Sequence, residues 1–395
     1  MKAGPFRILL ISDSYPPVLG GSEIEAQRFA SAMIRRGHQV HVLCSGGPPM
    51  PPVRDWVDNV GVPVTILTRN STGAQKHYMF AAAVATTLLR RRNQYDLVYF
   101  LMQGLHLLSG LAVTRLLGKP VAVKISGSSL IPLMRASRAG RIELDWLRKW
   151  RVPVMLLNEG MKQEALADGF AAEDLVWMPN PVDVDEFRPA REAEAAEWRS
   201  RHGIPADAQV AVYVGRLSPE KGLAPLLGGF AITARSNPRA FLLILGDGVI
   251  RADLEALARN LNVDPGQFRF AGRVDVREVP LWLRASDVFA LTSPNEGFPC
   301  SLLEAMSVGL ASVVSDIPAN LQLVDEGIHG LTVPFDSEAA IGGALARLFR
   351  DPPLRQSMGK AARKRVVENY STSSVMERYE NLFATVTSRT YPTAD

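Results

Sequence analysis

The stretch Asp287-Val288-Phe289-Ala290-Leu291-Thr292-Ser293-Pro294-Asn295-Glu296-Gly297-Phe298-Pro299-Cys300-Ser301-Leu302-Leu303-Glu304-Ala305-Met306 reads as one strand, one loop and the start of one helix. Its first five residues form a short apolar run suited to a buried parallel strand. Ser301-Leu302-Leu303-Glu304 has the form of a capping box that opens a helix. Glu296 then falls in the loop and Glu304 in the first helical turn. In an open α/β sheet, ligands bind in the crevice outside the carboxyl ends of the strands, and the spacing predicts that both carboxylates face it. Carboxylates there accept hydrogen bonds from the vicinal hydroxyls of ribose and hexose rings, while a helix N-terminus attracts phosphate. The segment therefore points to a sugar nucleotide. The same residues also read as a box that satisfies only its own backbone and a solvated loop carboxylate, so a second motif is needed.

Working outward, short apolar runs alternate with helix-length segments along the whole chain, the pattern of parallel sheets built from βαβ units. In the first half the expected strands are 8–11, 40–43, 64–67, 97–100, 121–124 and 154–157, with amphipathic helices such as 23–36 and 80–92 between them. A second series runs through 210–214, 241–245, 268–271, 288–291 and 312–315. The proline-rich stretch Met178 to Pro189 separates the two and is expected as a linker, because its prolines forbid a continuous helix or central strand. The division expected is a domain over 1–182, a second over 183–371, and a helix in 372–395 that packs back on the first.

The second motif is Val214-Gly215-Arg216-Leu217-Ser218-Pro219-Glu220-Lys221-Gly222, which follows a strand and enters a helix. Ser218 is placed as N-cap and Pro219 at the first helical position, which sets Lys221 in the first turn. A cation is disfavoured there by the helix dipole, and Arg216 adds a second positive charge. An anion between them reverses that effect, and a diphosphate suits Arg as a two-oxygen grip and Lys as a point charge. The bland alternative is a solvated lysine paired with Glu220. Gly246-Asp247-Gly248 follows another strand as a turn, a weaker signal. In the first half, Gly20-Gly21-Ser22-Glu23-Ile24-Glu25 joins the first strand to a helix that Ser22 and Glu25 are spaced to cap as a box, with two glycines that let backbone approach a ligand.

The composition sets bounds on class. At 395 residues the chain suggests two domains, and 47% hydrophobic with 21% charged residues is a globular balance. No apolar run reaches the roughly 18 residues of a membrane span, and the N-terminal apolar run reads as a first strand rather than a signal peptide. Cys44 and Cys300 are far apart, without metal-like spacing or a disulfide framework, which fits a reducing cytoplasm and no bound metal. Net charge is +4, of which residues 1–185 carry about +6 and the remainder about −2. Much of the excess lies between Arg135 and Arg151, where Arg138, Arg141, Arg148 and Lys149 interleave with Leu144, Trp146, Leu147 and Trp150. That stretch reads either as a basic amphipathic face for anionic lipid at the inner membrane surface or as a solvated helix packed by its tryptophans. No base-reading pattern for nucleic acid is present.

Taken together, the Gly20-Gly21 turn, Asn180-Pro181-Val182-Asp183, Gly215-Arg216-Leu217, Glu220-Lys221-Gly222, Gly246-Asp247-Gly248 and the Glu296/Glu304 pair resemble, in order and over nearly the whole chain, the retaining GT-B glycosyltransferases of family 4. That family contains sucrose synthase and many bacterial envelope and exopolysaccharide transferases. The resemblance implies two Rossmann-like doubly wound domains facing a central cleft and a nucleotide-diphosphate sugar as donor. It also implies a glycan or lipid-linked acceptor, and no cofactor or metal. It implies that Arg216 and Lys221 bind the donor diphosphate, that Glu304 holds the ribose, and that Glu296 with the backbone of Gly297 and Phe298 meets the transferred sugar. Gly20, Gly21, Gly215 and Gly246 line the donor site in this reading. The chain departs from the family in one place. Where many members carry Thr-x-His-Gly, it reads Lys124-Ile125-Ser126-Gly127, so Ser126 stands in the histidine's place and cannot act as a neutral-pH base. His106 is a nearby candidate for an imidazole on the acceptor side. Two other readings fit the same scaffold: a sugar-nucleotide-binding subunit without transfer activity, and a nucleotide-sugar epimerase.

Overall fold

The computed structural model describes residues 4–18, 21–46, 50–51, 54–69, 73–127 and 130–388. The chain forms two compact units, Met1–Asn180 with Ser373–Asp395, and Pro181–Thr372. The strands of the first are β1 (Arg7–Ser12), β2 (Gln39–Gly46), β3 (Asp55–Val57), β4 (Pro63–Arg69), β5 (Leu97–Leu101), β6 (Val121–Lys124), β7 (Val154–Leu156) and β8 (Leu175–Trp177). They lie in the order β3-β4-β2-β1-β5-β6-β7-β8. Every pairing is parallel except β3 with β4. The second unit contains β9 (Gln209–Val214), β10 (Ala240–Leu245), β11 (Phe268–Gly272), β12 (Val288–Leu291), β13 (Ala311–Ser315) and β14 (Gly330–Val333). Their order is β11-β10-β9-β12-β13-β14, parallel throughout.

Every strand expected from the sequence is present. The continuous apolar runs are those buried on both faces, as in β5 and β10, whose residues are all buried. In each sheet the strand order reverses beside the first strand, between β1 and β5 in one and between β9 and β12 in the other. Such a reversal opens the crevice at the carboxyl ends of the strands. It places the residues after β9 and β12 side by side.

The helix Thr372–Ser388 closes the core of the first unit, where Val375, Met376, Tyr379 and Phe383 join Phe6, Phe29 and Tyr99. Phe29 lies 4.8 Å and Tyr99 5.7 Å from the Tyr379 ring. The two units divide after Asn180, inside the expected linker, and the residues that follow are ordered. The carboxylate of Asp183 accepts from the amides of Asp185 and Glu186 at 3.0 and 3.1 Å. Phe187 is fully buried in the core of the second unit, so the prolines shape an ordered turn there. Val182 pairs with Ser371 as an isolated parallel bridge.

The basic stretch is two helices, Leu130–Ala136 and Arg138–Lys149, parted at Ser137, whose hydroxyl accepts from the Gly140 amide at 2.9 Å. Arg135 and Arg148 both pair with Asp168, Arg151 pairs with Asp174 and Glu173, and Trp146 stacks on Trp150 at 4.6 Å. Arg135, Arg138, Arg141, Lys149 and Arg151 are exposed, and Arg148 is half-buried. Among the described residues no helix is long and apolar enough to cross a membrane.

Candidate active site

The second unit builds its site from the two chain segments that leave the sheet at the order reversal. Leaving β9, Gly215 donates its amide to Leu245 O at 3.0 Å, and Leu217 donates to Asp247 O at 3.0 Å. The turn at 246–248 therefore packs directly on the turn at 215–217. Gly246, at φ 136°, has its α-carbon against the Gly215 carbonyl, where any Cβ would collide. This gives the Gly-Asp-Gly turn a packing role in shaping the exit of β9.

Ser218 precedes a single 3-10 turn, Pro219–Lys221, and the α-helix Leu223–Ser236 starts only after it. Two expectations are corrected here. The Ser218 side chain donates to Glu220 at 2.7 Å instead of capping, and Lys221 lies ahead of the helix rather than in its first turn. The reason is Gly222, left-handed at φ 63°, which breaks the two helical segments and rests against the Thr292 carbonyl with no room for a Cβ. Thr292 in turn donates its hydroxyl to Gly222 O at 2.8 Å, tying the exit of β12 to that of β9.

This tie brings Lys221 to Glu296. The ammonium donates to both carboxylate oxygens, at 2.8 and 3.0 Å, and the side chains are 19% and 10% exposed. Arg216, by contrast, is 78% exposed and lies 3.7 Å from Glu220. A pair so exposed is screened by solvent and leaves Arg216 free to turn to a ligand. Glu304 is half-buried in the helix Cys300–Val308. The expected Ser301 capping box does not form, because the helix begins two residues earlier, at Cys300 behind Pro299, and Ser301 is already inside it. Phe298 is half-buried and packs its ring against the core of the second unit, 6.4 Å from Tyr370.

In the first unit, Gly20 lies outside the described residues, and Gly21 opens the helix Gly21–Arg35. The Ser22/Glu25 box is also corrected. Glu25 is 6% exposed and ion-pairs with Lys124, because a fully buried ammonium at the end of β6 demands a carboxylate. Lys124 Nζ further donates to Asn180 Oδ1 at 2.8 Å and Tyr379 OH at 3.2 Å. Sequence reading passed over this network, although a lysine closing the apolar run Val121-Ala122-Val123 was its visible signal.

His106, 3% exposed, sits 5.1 Å from the Phe80 ring and 6.4 Å from the Phe100 ring. Burial pulls its pKa down to about 4, so the imidazole is neutral at pH 7. The Ser126 hydroxyl and His106 Nε2 are buried without a protein hydrogen-bond partner. Glu143, 2% exposed, points inward from the basic helix. Burial pushes its pKa up to about 7, against the pull of a hydrogen bond from the Gly104 amide. Between pH 4.5 and 7 the folded state therefore keeps a proton that the unfolded chain has lost, and stability falls as pH rises through that window. Relative to Glu143→Gln, the wild type is expected to lose about 3 kcal/mol between pH 4.5 and 7.5, read from urea unfolding. A pH-independent difference would remove Glu143 from this account.

Two family models match the chain, Glycosyltransferase Family 4 over residues 19–186 and Glycosyl transferases group 1 over residues 194–365. A phosphatidyl-myo-inositol mannosyltransferase of Mycobacterium tuberculosis is 27% identical over 385 residues, covering 92% of this chain and 94% of the relative. A 2-deoxystreptamine glucosyltransferase of Streptomyces kanamyceticus is 26% identical over 349 residues, 84% and 90% of the two chains. The solved structure of Anabaena HepE in complex with UDP and glucose superimposes with a TM-score of 0.78 at 18% identity, over 96% of this chain and 100% of that one.

Proposed function

Because the chain belongs to glycosyltransferase family 4 and has the GT-B fold, we propose that it is a retaining transferase moving a hexosyl group from a nucleoside-diphosphate sugar to a hydroxyl of a glycan or lipid-linked acceptor. The observation that carries this reading is the Lys221–Glu296 pair, set at 2.8 Å across the order reversal of the second sheet. The anomeric carbon's bond to the departing diphosphate breaks as its bond to the acceptor oxygen forms on the same face. The acceptor proton passes to the departing diphosphate, so Ser126 need not serve as a base. Arg216 and Lys221 neutralise the charge that gathers on the leaving group, which is the kind of preorganised electrostatic stabilisation that contributes most to such a step. Glu304 holds the ribose hydroxyls. Glu296 and the amides of Gly297 and Phe298 hold the transferred sugar. A role in cell-envelope or exopolysaccharide synthesis is in keeping with the phosphatidyl-inositol acceptor in the mycobacterial relative's name.

The test is the thermal midpoint with UDP, GDP, ADP and dTDP in turn, in EDTA. A nucleotide at about 100 times its Kd adds roughly 2.7 kcal/mol, or about 5–10 °C for a unit of this size. One of the four is expected to give that shift without metal, and Arg216→Ala and Glu304→Ala to abolish it. If none shifts the wild type, the donor site is wrong.

A further inference from the structure

We propose that the cavity at the amino ends of β1, β2 and β4 is a second binding site, built for a small organic anion with a hydroxyl-bearing body, of the sugar phosphate or sugar acid class. It goes beyond the transferase reading and does not depend on it. The cavity encloses about 470 Å3, within the range of small-ligand sites. Arg7 and Gln39 start β1 and β2, Pro63 starts β4, and Arg91 and Gln94 follow the helix Gly73–Arg90. An α/β sheet receives its usual ligand at the carboxyl ends of its strands. This cavity lies at the opposite ends, about 17 Å away along the six residues of β1.

An irregularity in the sequence marks the place. A parallel strand buried on both faces is a continuous apolar run, and His41 interrupts that run in β2. Side chains alternate along a strand, so Arg7, Leu9, Gln39 and His41 share one face of the sheet, Arg7 level with Gln39 and Leu9 with His41. Arg91 reaches the same face from the helix end, its Nη1 3.2 Å from His41 Nε2. The Thr65 hydroxyl donates its single proton to Asp55 Oδ1 at 2.5 Å, so at 2.7 Å it accepts from His41 Nε2–H. The Arg91 guanidinium therefore meets an N–H where it needs a lone pair. Among the described residues it has no carboxylate partner.

Charge points the same way. No described aspartate or glutamate lines the cavity. Arg7 is committed to Asp96 at 2.6 Å and to Asn93 O at 2.8 Å, which leaves half-buried Arg91 as the guanidinium for a ligand. Burial, and after it Arg91, draws the His41 pKa down to about 4, so the imidazole is neutral at pH 7. An oxyanion seated on Arg91 supplies the acceptors it lacks, in the two-oxygen grip that suits phosphate or carboxylate. The volume leaves room for a body behind that group. The exposed amides of Gln39 and Gln94 both donate and accept, as hydroxyls require.

The test is isothermal titration calorimetry of the full chain at pH 7.5 with glucose 6-phosphate, gluconate, glucose and inorganic phosphate. At least one of the two sugar anions is expected to bind about tenfold or more tighter than both glucose and inorganic phosphate, the weight of one charge-assisted contact. Which of them does so names the anionic group. Arg91→Met should weaken that binding about tenfold, and Gln39→Trp, which fills the mouth of the cavity, should abolish it. Gln39 is exposed at a strand start, so its replacement leaves the core intact, and the thermal midpoint without ligand checks both variants. Arg216→Ala should bind as wild type does, which separates this site from the proposed donor site. Equal binding of glucose, inorganic phosphate as tight as the sugar anions, or no binding at all would overturn the proposal. So would an affinity that survives Gln39→Trp or falls in Arg216→Ala.

Discussion

Replacing Lys221 by alanine is expected to lower kcat about a hundredfold, equivalent to roughly 2.7 kcal/mol of lost stabilisation of the leaving diphosphate. The effect has two sources. The ammonium is withdrawn from the departing group, and Glu296, only 10% exposed, loses the partner that holds both its oxygens. A carboxylate left unpaired there repels the incoming diphosphate. Because the two residues touch, their substitutions should not add. Glu296→Gln in the Lys221→Ala background should cost less than it does alone. Steady-state rates for the two single variants and the double variant decide this, and a Lys221→Ala enzyme within about threefold of wild type would end Lys221's role in the chemistry.

Lys124→Met is expected to destabilise the N-terminal unit by about 3–5 kcal/mol, because it strands Glu25 as an uncompensated buried charge. Burial works against the charge on Lys124, yet Glu25 and Tyr379 hold it protonated, with its pKa above the ordinary lysine value. The midpoint of that unit should fall by about 10 °C. Lys124→Met combined with Glu25→Leu should recover most of the loss, since an apolar pair of similar volume replaces the ions without leaving either exposed to the other's absence. Calorimetry on both variants is the measurement. A single variant as stable as wild type, or a double variant no better than the single, would show that the ion pair is not what secures this region.

The strands were legible because a parallel sheet buried on both faces writes itself as uninterrupted apolar runs, as in β10 and β12. β3, β8 and β14 escaped because they are three- or four-residue strands at or near sheet edges, too short to carry a pattern. Helix starts were the weakest reading. Ser22, Ser218 and Ser301 each stood at box or cap spacing, and each was displaced by a neighbour whose geometry dominated: Gly21 at a helix start, Gly222 in the left-handed region, and Pro299 ahead of its helix. Lys221 and Glu296 were assigned to one donor site by the resemblance alone, and their contact depends on strand order, which no local spacing encodes. Glu143 was hidden for another reason. It sits in a stretch whose charges look solvated, and only the helix's orientation turns that one carboxyl inward.

The last helix belongs to the core that the first strand begins, with Val375, Met376, Tyr379 and Phe383 packed among Phe6, Phe29 and Tyr99. For anyone exchanging the first unit of this chain with that of a relative, a single crossover in the gene is therefore the wrong cut. It would graft a foreign tail onto a native core or a native tail onto a foreign one. A working hybrid exchanges two pieces together, with junctions after Asn180 and after Thr372. Gene duplication and exchange in nature face the same arithmetic.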